Sequence, residues 1–204
     1  MTSSIINYLR ERHSSDPTTA LAYFYFSFSD TKKQTVISML ASLLKQLCSR
    51  RPILPSVVEN LLGYRERGER PDAKTLEHAL MAAMSGFSAV HIAIDALDEC
   101  PGPPLSRERS KLLATLCQVI ATSPASVHML CTSRKESDIH AILSPFISAE
   151  TTRRAMNLNG EFAGLDHDIG LYIDSVLASP DFESWPDEVK AEARSSLIER
   201  ADGI

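Results

Sequence analysis

Residues 89–100 are AVHIAIDALDEC, and they run directly into the turn sequence PGPP at 101–104. The first six residues of this stretch form a short apolar run of strand length. Three acids, Asp95, Asp98 and Glu99, follow within five positions. A strand buried on both faces of a parallel sheet has such a continuous hydrophobic sequence, and its carboxyl end opens onto the crevice where ligands bind. The stretch therefore predicts a buried parallel strand with carboxylates at its carboxyl end.

These carboxylates need a partner. An acid beside a core is costly unless a positive group meets it, and Mg²⁺ bound with a nucleotide phosphate is a common solution. The alternative is an acidic helix cap or a solvated loop without a ligand. An apolar strand followed by Asp, a small residue, an apolar residue and then Asp-Glu favours the metal site.

A second polar group follows the next predicted buried strand, at 127–131, which ends in Thr132-Ser133-Arg134. An arginine at the carboxyl end of a strand can bind phosphate oxygens through two hydrogen bonds and can stabilise charge that develops in phosphoryl transfer. The alternative is an ion pair between Arg134 and one of the three acids. Both interpretations stay open.

The segment 92–99, IAIDALDE, resembles the Walker B segment of NACHT-type signal-transduction NTPases, a branch of the P-loop ATPases. Nearly the whole chain resembles the nephrocystin-3-like N-terminal version of this domain, which is common in large multidomain proteins. The resemblance implies Mg²⁺ and ATP or GTP as cofactors. It implies that Asp95 holds Mg²⁺ through a water molecule, and that Asp98 or Glu99 orients the attacking water. Ser133 and Arg134 would sense the γ-phosphate.

The same resemblance predicts a loop G-x-x-x-x-G-K-[ST] before the first helix, because its backbone N–H groups and lysine hold the phosphates. The sequence has no glycine before Gly63, and its first lysine is Lys32. We therefore expect that the chain lacks the Walker A loop and the first strand, and that both ends are cut relative to the family. We expect little or no hydrolysis from the chain as it stands, and no bound cofactor if the loop is indispensable.

Predicted strands near 20–28, 89–94, 127–131 and 154–158 alternate with predicted helices, which indicates an α/β fold with a parallel sheet. In additional-strand P-loop ATPases the spatial order of strands is 5-1-4-3-2. The resemblance therefore makes these strands 2, 3, 4 and 5 of a three-layer domain without its first strand. We predict that residues 1–160 form this partial core and that 161–204 begin a helical subdomain.

Apolar residues at helical spacing predict the helices. Their expected ranges are 3–12, 30–49, 52–62, 72–85, 106–123, 136–143, 165–177 and 187–200. Asp72 is expected to cap its helix, and Pro145 is expected to lie beyond the end of another. His91 and His128 each stand near the start of a predicted strand and are expected to be edge or cap residues.

Composition excludes several classes. The chain has 204 residues, 44% of them hydrophobic, and a formal net charge of −5. An acidic balance argues against non-specific nucleic-acid binding, which needs clustered lysine and arginine. No apolar run reaches the ~18 residues of a membrane span. Four cysteines without a C-x-x-C pair indicate reduced thiols and a cytoplasmic location.

Two classes of function are therefore expected. In the first, the chain is part of a nucleotide-dependent conformational switch in signalling. Such a switch would act through protein partners contacted by flanking effector and repeat domains, and the longer protein would oligomerise. In the second, the chain is a non-enzymatic interaction or scaffold module that retains a degenerate NTPase fold.

Overall fold

The apolar segments of the sequence form three parallel strands. The structure is a computed structural model that describes residues 2–123, 125–150, 152–156 and 165–200. The strands are β1 (Thr19–Tyr25), β2 (Ala89–Asp95) and β3 (Ser126–Cys131), in the spatial order β1-β2-β3. Both pairings are parallel, so the three carboxyl ends meet along one edge of the sheet. The predicted α/β class with a parallel sheet is confirmed.

The fourth predicted strand, at 154–158, is not seen at 154–156, where the chain has no regular structure. Residues 157 and 158 lie outside the described residues. The chain divides into two compact units, Met1–Ala149 and Glu150–Ile204. The boundary predicted after residue 160 also falls outside the described residues.

Helices surround the sheet in the first unit. Their bounds are α1 (Thr2–Arg12), α2 (Val36–Cys48), α3 (Ser56–Glu59), α4 (Leu62–Glu66), α5 (Ala73–Met84), α6 (Glu108–Thr122) and α7 (Ser137–Ser148). Two 3₁₀ turns lie at Thr31–Lys33 and Leu97–Glu99. In the second unit, α8 (Leu165–Leu177) is followed by a 3₁₀ turn at Pro180–Phe182 and by α9 (Asp187–Arg200). No helix of the described residues is long and apolar enough to cross a membrane.

Three predicted helices were wrong in outline, and one of them, expected at 136–143, runs through Pro145 to Ser148 as α7. The helix expected at 30–49 begins only at Val36, because two side chains cap separate turns. The carboxylate of Asp30 accepts from Lys32 N, and the Thr35 hydroxyl accepts from Ser38 N. Side-chain caps of this kind compete with a continuous helix. The helix expected at 52–62 is two short helices, α3 and α4.

The core lies on one face of the sheet. Strand alternation directs Ala22, Phe24, Ile92 and Ile94 to this face, where α2, α5 and α6 cover them with buried leucines and methionines. On the opposite face, which α1 crosses, Thr19 and Ala93 are buried and the other side chains of β1 and β2 are half-buried. The expected burial of β2 on both faces is therefore only partly correct.

The two outer strands differ. On β1, the Gln46 side chain bonds the backbone of Tyr23 twice, donating to its carbonyl at 2.8 Å and accepting from its N–H at 3.1 Å. The described residues provide no counterpart of Gln46 at β3. The residues of β3 are exposed or half-buried rather than buried as predicted.

Candidate functional site

Asp95 ends β2 at the carboxyl edge of the sheet. Its Oδ1 accepts two hydrogen bonds from threonine hydroxyls, one from Thr2 at 2.5 Å and one from Thr132 at 2.6 Å. Thr2 is the first residue of α1, and Thr132 directly follows β3. The carboxylate therefore joins three elements that are far apart in sequence.

Thr132 also fixes the backbone around Asp95. Its N–H donates to the Ile94 carbonyl at 3.0 Å, and its own carbonyl accepts from Leu97 N at 2.9 Å. Its hydroxyl oxygen accepts from Ala96 N at 3.1 Å. One residue thus holds the chain on both sides of the carboxylate, a role that its position in the Thr-Ser-Arg triplet did not reveal.

Ala96 has a left-handed backbone, with φ 55° and ψ 55°. An alanine pays about 1–2 kcal/mol for this conformation. The bend turns the chain sharply after Asp95 and starts the 3₁₀ turn at Leu97–Glu99. Strained residues of this kind concentrate at functional sites, and here the strain determines where the next two acids lie.

Asp98 faces the segment after β3. Its Oδ1 accepts from the backbone N–H of Arg134 at 3.0 Å, and its Oδ2 lies 3.7 Å from Arg134 Nε. The Asp98 side chain is 11% exposed and that of Arg134 is 82% exposed. The guanidinium therefore reaches Asp98 from the solvent side, and an ion pair of this kind contributes little stability.

Glu99 and Ser133 make local contacts. Glu99 Oε2 accepts from Phe28 N at 2.9 Å and so anchors the loop after β1. The Ser133 hydroxyl donates to the Arg134 carbonyl at 2.7 Å. The structure thus brings Asp95, Asp98 and Arg134 to one edge of the sheet, whereas Ser133 is bonded to its own segment.

A buried arginine supports this edge, although the sequence pattern did not single it out. Arg109 lies near the start of α6, with its Nε 3.2 Å from Asp138 Oδ2 and its Nη1 3.9 Å from Glu136 Oε2. A Cβ on Gly102 would lie 2.0 Å from Arg109 Nη2. Only glycine leaves room for this guanidinium, so the turn at 101–104 is also a packing surface for Arg109.

Cys100, which follows the acids directly, is not a nucleophile. It is fully buried, and burial raises the pKa of its thiol to about 12. The neutral thiol donates to the Gln34 carbonyl at 3.4 Å. Because the thiolate is the reactive form of cysteine, Cys100 serves packing.

The donor set at Asp95 suits a hard cation that keeps most of its own ligands. Carboxylate and hydroxyl oxygens are ligands that Mg²⁺ accepts, and nucleotide-bound Mg²⁺ takes its remaining ligands from phosphate and water. Within the described ranges, no group of three or more His, Cys, Asp or Glu residues is arranged to hold a metal ion. The site therefore fits Mg²⁺ delivered with a phosphate ligand better than a metal held by protein alone.

Comparison with known proteins identifies the family. The family model for the N-terminal domain of nephrocystin 3 matches residues 1–134, which include all three strands and the segment through Arg134. No curated protein and no solved structure matches the chain. The chain belongs to the nephrocystin 3 N-terminal domain family.

Proposed function

We propose that the chain is part of a NACHT-type, P-loop signalling switch that binds Mg²⁺ with ATP or GTP at the carboxyl edge of its sheet. The observation that supports this best is Asp95, a carboxylate at the end of a central strand that accepts two threonine hydroxyls. The strand order β1-β2-β3 is also the order expected for strands 2, 3 and 4 of such ATPases.

Each residue of the site would have a separate role in binding Mg²⁺ and the nucleotide. Asp95 and the hydroxyls of Thr2 and Thr132 would hold Mg²⁺ through its water ligands. Bound Mg²⁺ would neutralise phosphate charge. Asp98 would orient a water molecule, and Arg134, whose side chain is exposed, would leave Asp98 to contact a phosphate oxygen. Glu99 is the second candidate for orienting water, although its contact with Phe28 N favours Asp98.

We expect little or no hydrolysis from these 204 residues. The sequence contains no G-x-x-x-x-G-K-[ST] segment, whose backbone and lysine contribute much of the phosphate binding in P-loop proteins. In a switch, binding alone is sufficient, because a ligand shifts a conformational equilibrium by its difference in affinity for two states. We propose that the resulting change is passed to protein partners in the cytoplasm and to oligomerisation of the longer protein.

One observation favours the second candidate, a non-enzymatic interaction module. Asp95, Asp98 and Glu99 each accept a hydrogen bond from another part of the chain. Carboxylates used in this way stabilise the loops at the sheet edge without any ligand. The two candidates differ in whether Asp95 contributes to nucleotide affinity.

Calorimetry with Mg-ATP and Mg-GTP, repeated in EDTA, tests the proposal. Without a Walker A loop, we expect weaker binding than that of an intact P-loop protein. This binding should need Mg²⁺ and should weaken at least ~10-fold in Asp95→Asn and about 10-fold in Arg134→Gln, where each tenfold corresponds to ~1.4 kcal/mol. Glu183→Gln, at an exposed site in the second unit, should leave the affinity unchanged. Absence of binding by a chain that circular dichroism shows to be folded would support the interaction module instead.

A further inference from the structure

Three histidines from separate segments stack on the α1 face of the sheet. The ring of His91, on β2, lies 4.9 Å from that of His128 on β3, with an interplanar angle of 19°. The ring of His13, just after α1, lies 5.1 Å from that of His91 at 27°. His91 and His128 are opposite each other in the register, and their ring separation matches the ~4.8 Å spacing of strands. His91 is therefore flanked by two imidazoles and is not the edge or cap residue that was expected.

The charged groups around the stack are few. On β1, the residue opposite His91 is the uncharged Leu21. On β3, the Ser126 hydroxyl lies 3.4 Å from Nε2 of His128. From the loop after α1, Asp16 interacts electrostatically with His13.

Helix α1 brings charges of its own, but they point elsewhere. Arg10 lies over the ring of Tyr23, and Arg12 donates to the Tyr8 hydroxyl at 2.6 Å. Glu11 is exposed. On β2, Asp95 stands four residues beyond His91 and is occupied by threonine hydroxyls. The Asp16 carboxylate is therefore the negatively charged group that interacts with the stack, through His13.

Burial lowers the pKa of His91, and His128 and His13 lower it further. The ordinary histidine pKa of about 6.5 applies once the stack is open. Above that pH an imidazole is uncharged, and neighbouring imidazoles can stack without repulsion. As the pH falls below it, the stacked form takes up protons less readily than the open form, because adjacent imidazolium cations ~5 Å apart repel each other.

We propose that the His13–His91–His128 stack is a pH-dependent latch, which holds the C-terminal end of α1 on the sheet at neutral pH and releases it in mild acid. The other end of α1 supplies the Thr2 hydroxyl to Asp95, so release of α1 at His13 would also loosen this contact in the candidate site. This inference goes beyond nucleotide binding and does not depend on it. Above about pH 6.5 the latch stays closed. Release of α1 develops as the pH falls below this value, because the open form then binds more protons than the stacked form does.

Hydrogen exchange of the α1 amides between pH 7.5 and 5.0, corrected for intrinsic rates, measures the opening directly. In the full chain we expect the opening constant of α1 to rise below pH 6.5 by up to ~10-fold per pH unit for each proton taken up. His91→Leu should remove most of this dependence, and His128→Gln, at an exposed position, should reduce it. His78→Gln, exposed on α5, is the matched control and should behave as the original chain.

Titration of the imidazoles by NMR measures the pKa of His91, which a purely structural role of the stack would not require to differ from the ordinary value. We expect His91 to titrate below the ordinary value and to shift upward in His128→Gln. The proposal is overturned if His91 titrates at or above 6.5, or if α1 opens with the same pH dependence in His91→Leu. Should His91→Leu fail to fold, unchanged exchange in His128→Gln overturns it equally.

Discussion

The two faces of the sheet are built from the same strands but differ in chemistry. On one face, buried side chains such as Phe24 and Ile92 pack against α2, α5 and α6. On the other face, His91 and Asp95 flank the small buried Ala93 on β2, and α1 crosses this face with a single buried apolar side chain of its own, Ile6. Since successive side chains of a strand point to opposite faces, β2 contributes to stability with one set of residues and to polar chemistry with the other. The comparison indicates that α1 is held on the sheet by less apolar burial than α2 and α5 are.

The largest expected effect contrasts two leucines on the two faces. Leu43, on α2, is 1% exposed, whereas Leu21 on the α1 face is half-buried. Leu43→Ala should lower the free energy of unfolding by about 2–5 kcal/mol through lost contacts and a cavity. Leu21→Ala should lower it by only about 1–2 kcal/mol, since part of that side chain already contacts water. Urea denaturation measures both, and equal losses would remove the distinction between the faces.

An intermediate loss of stability is expected at Thr132, whose hydroxyl contacts both Asp95 and the backbone of Ala96 at the carboxyl edge of the sheet. Thr132→Val keeps the shape but removes the hydroxyl that donates to Asp95 and accepts from Ala96 N. The loss should be about 1–3 kcal/mol, because partly buried polar groups are left without partners. Thr122→Val, which removes an exposed hydroxyl bonded to the Gln118 carbonyl, should change stability by less than about 0.5 kcal/mol. Comparable midpoints for the two variants in denaturant would contradict the role assigned to Thr132.

The smallest expected effect is an increase in the free energy of unfolding, whereas the other substitutions lower it. Ala96→Gly relieves the left-handed backbone after Asp95, which costs alanine about 1–2 kcal/mol. Glycine loses about 0.5–1 kcal/mol more backbone entropy on folding, so a net gain of about 0.5–1 kcal/mol remains. Ala82→Gly within α5 should instead lose about 1 kcal/mol. Calorimetric melting of both variants gives the sign, and a loss at both sites would mean that Ala96 is not strained.

Local sequence signals predicted the elements whose structure depends on local interactions. The helices at 165–177 and 187–200 were predicted with their observed bounds, and Asp72 caps α5 by accepting from Thr75 N at 2.8 Å. The prediction that Pro145 lies beyond the end of its helix was wrong, since α7 runs through it to Ser148. A proline preference is a local cost that the rest of a helix can outweigh, so the sequence around Pro145 did not determine the end of that helix.

The candidate site was predictable only in part. The acids at the end of β2 were found because an apolar strand followed by carboxylates is a contiguous pattern. The Thr2–Asp95 contact joins residues 93 positions apart, and the histidine stack joins three segments through strand register. Register and helix placement are set by tertiary packing, so no periodicity in the sequence around Thr2, His13 or His128 reveals these contacts.

The Gln46 contact occupies the outer edge of β1. A side-chain amide has the same donor and acceptor as a peptide group, and Gln46 presents both to Tyr23 as a neighbouring strand would. A strand approaching β1 must first displace two hydrogen bonds, each worth about 0.5–1.5 kcal/mol. A strand that another polypeptide adds beside β1 would therefore pair with Tyr23 only after the Gln46 amide had moved away.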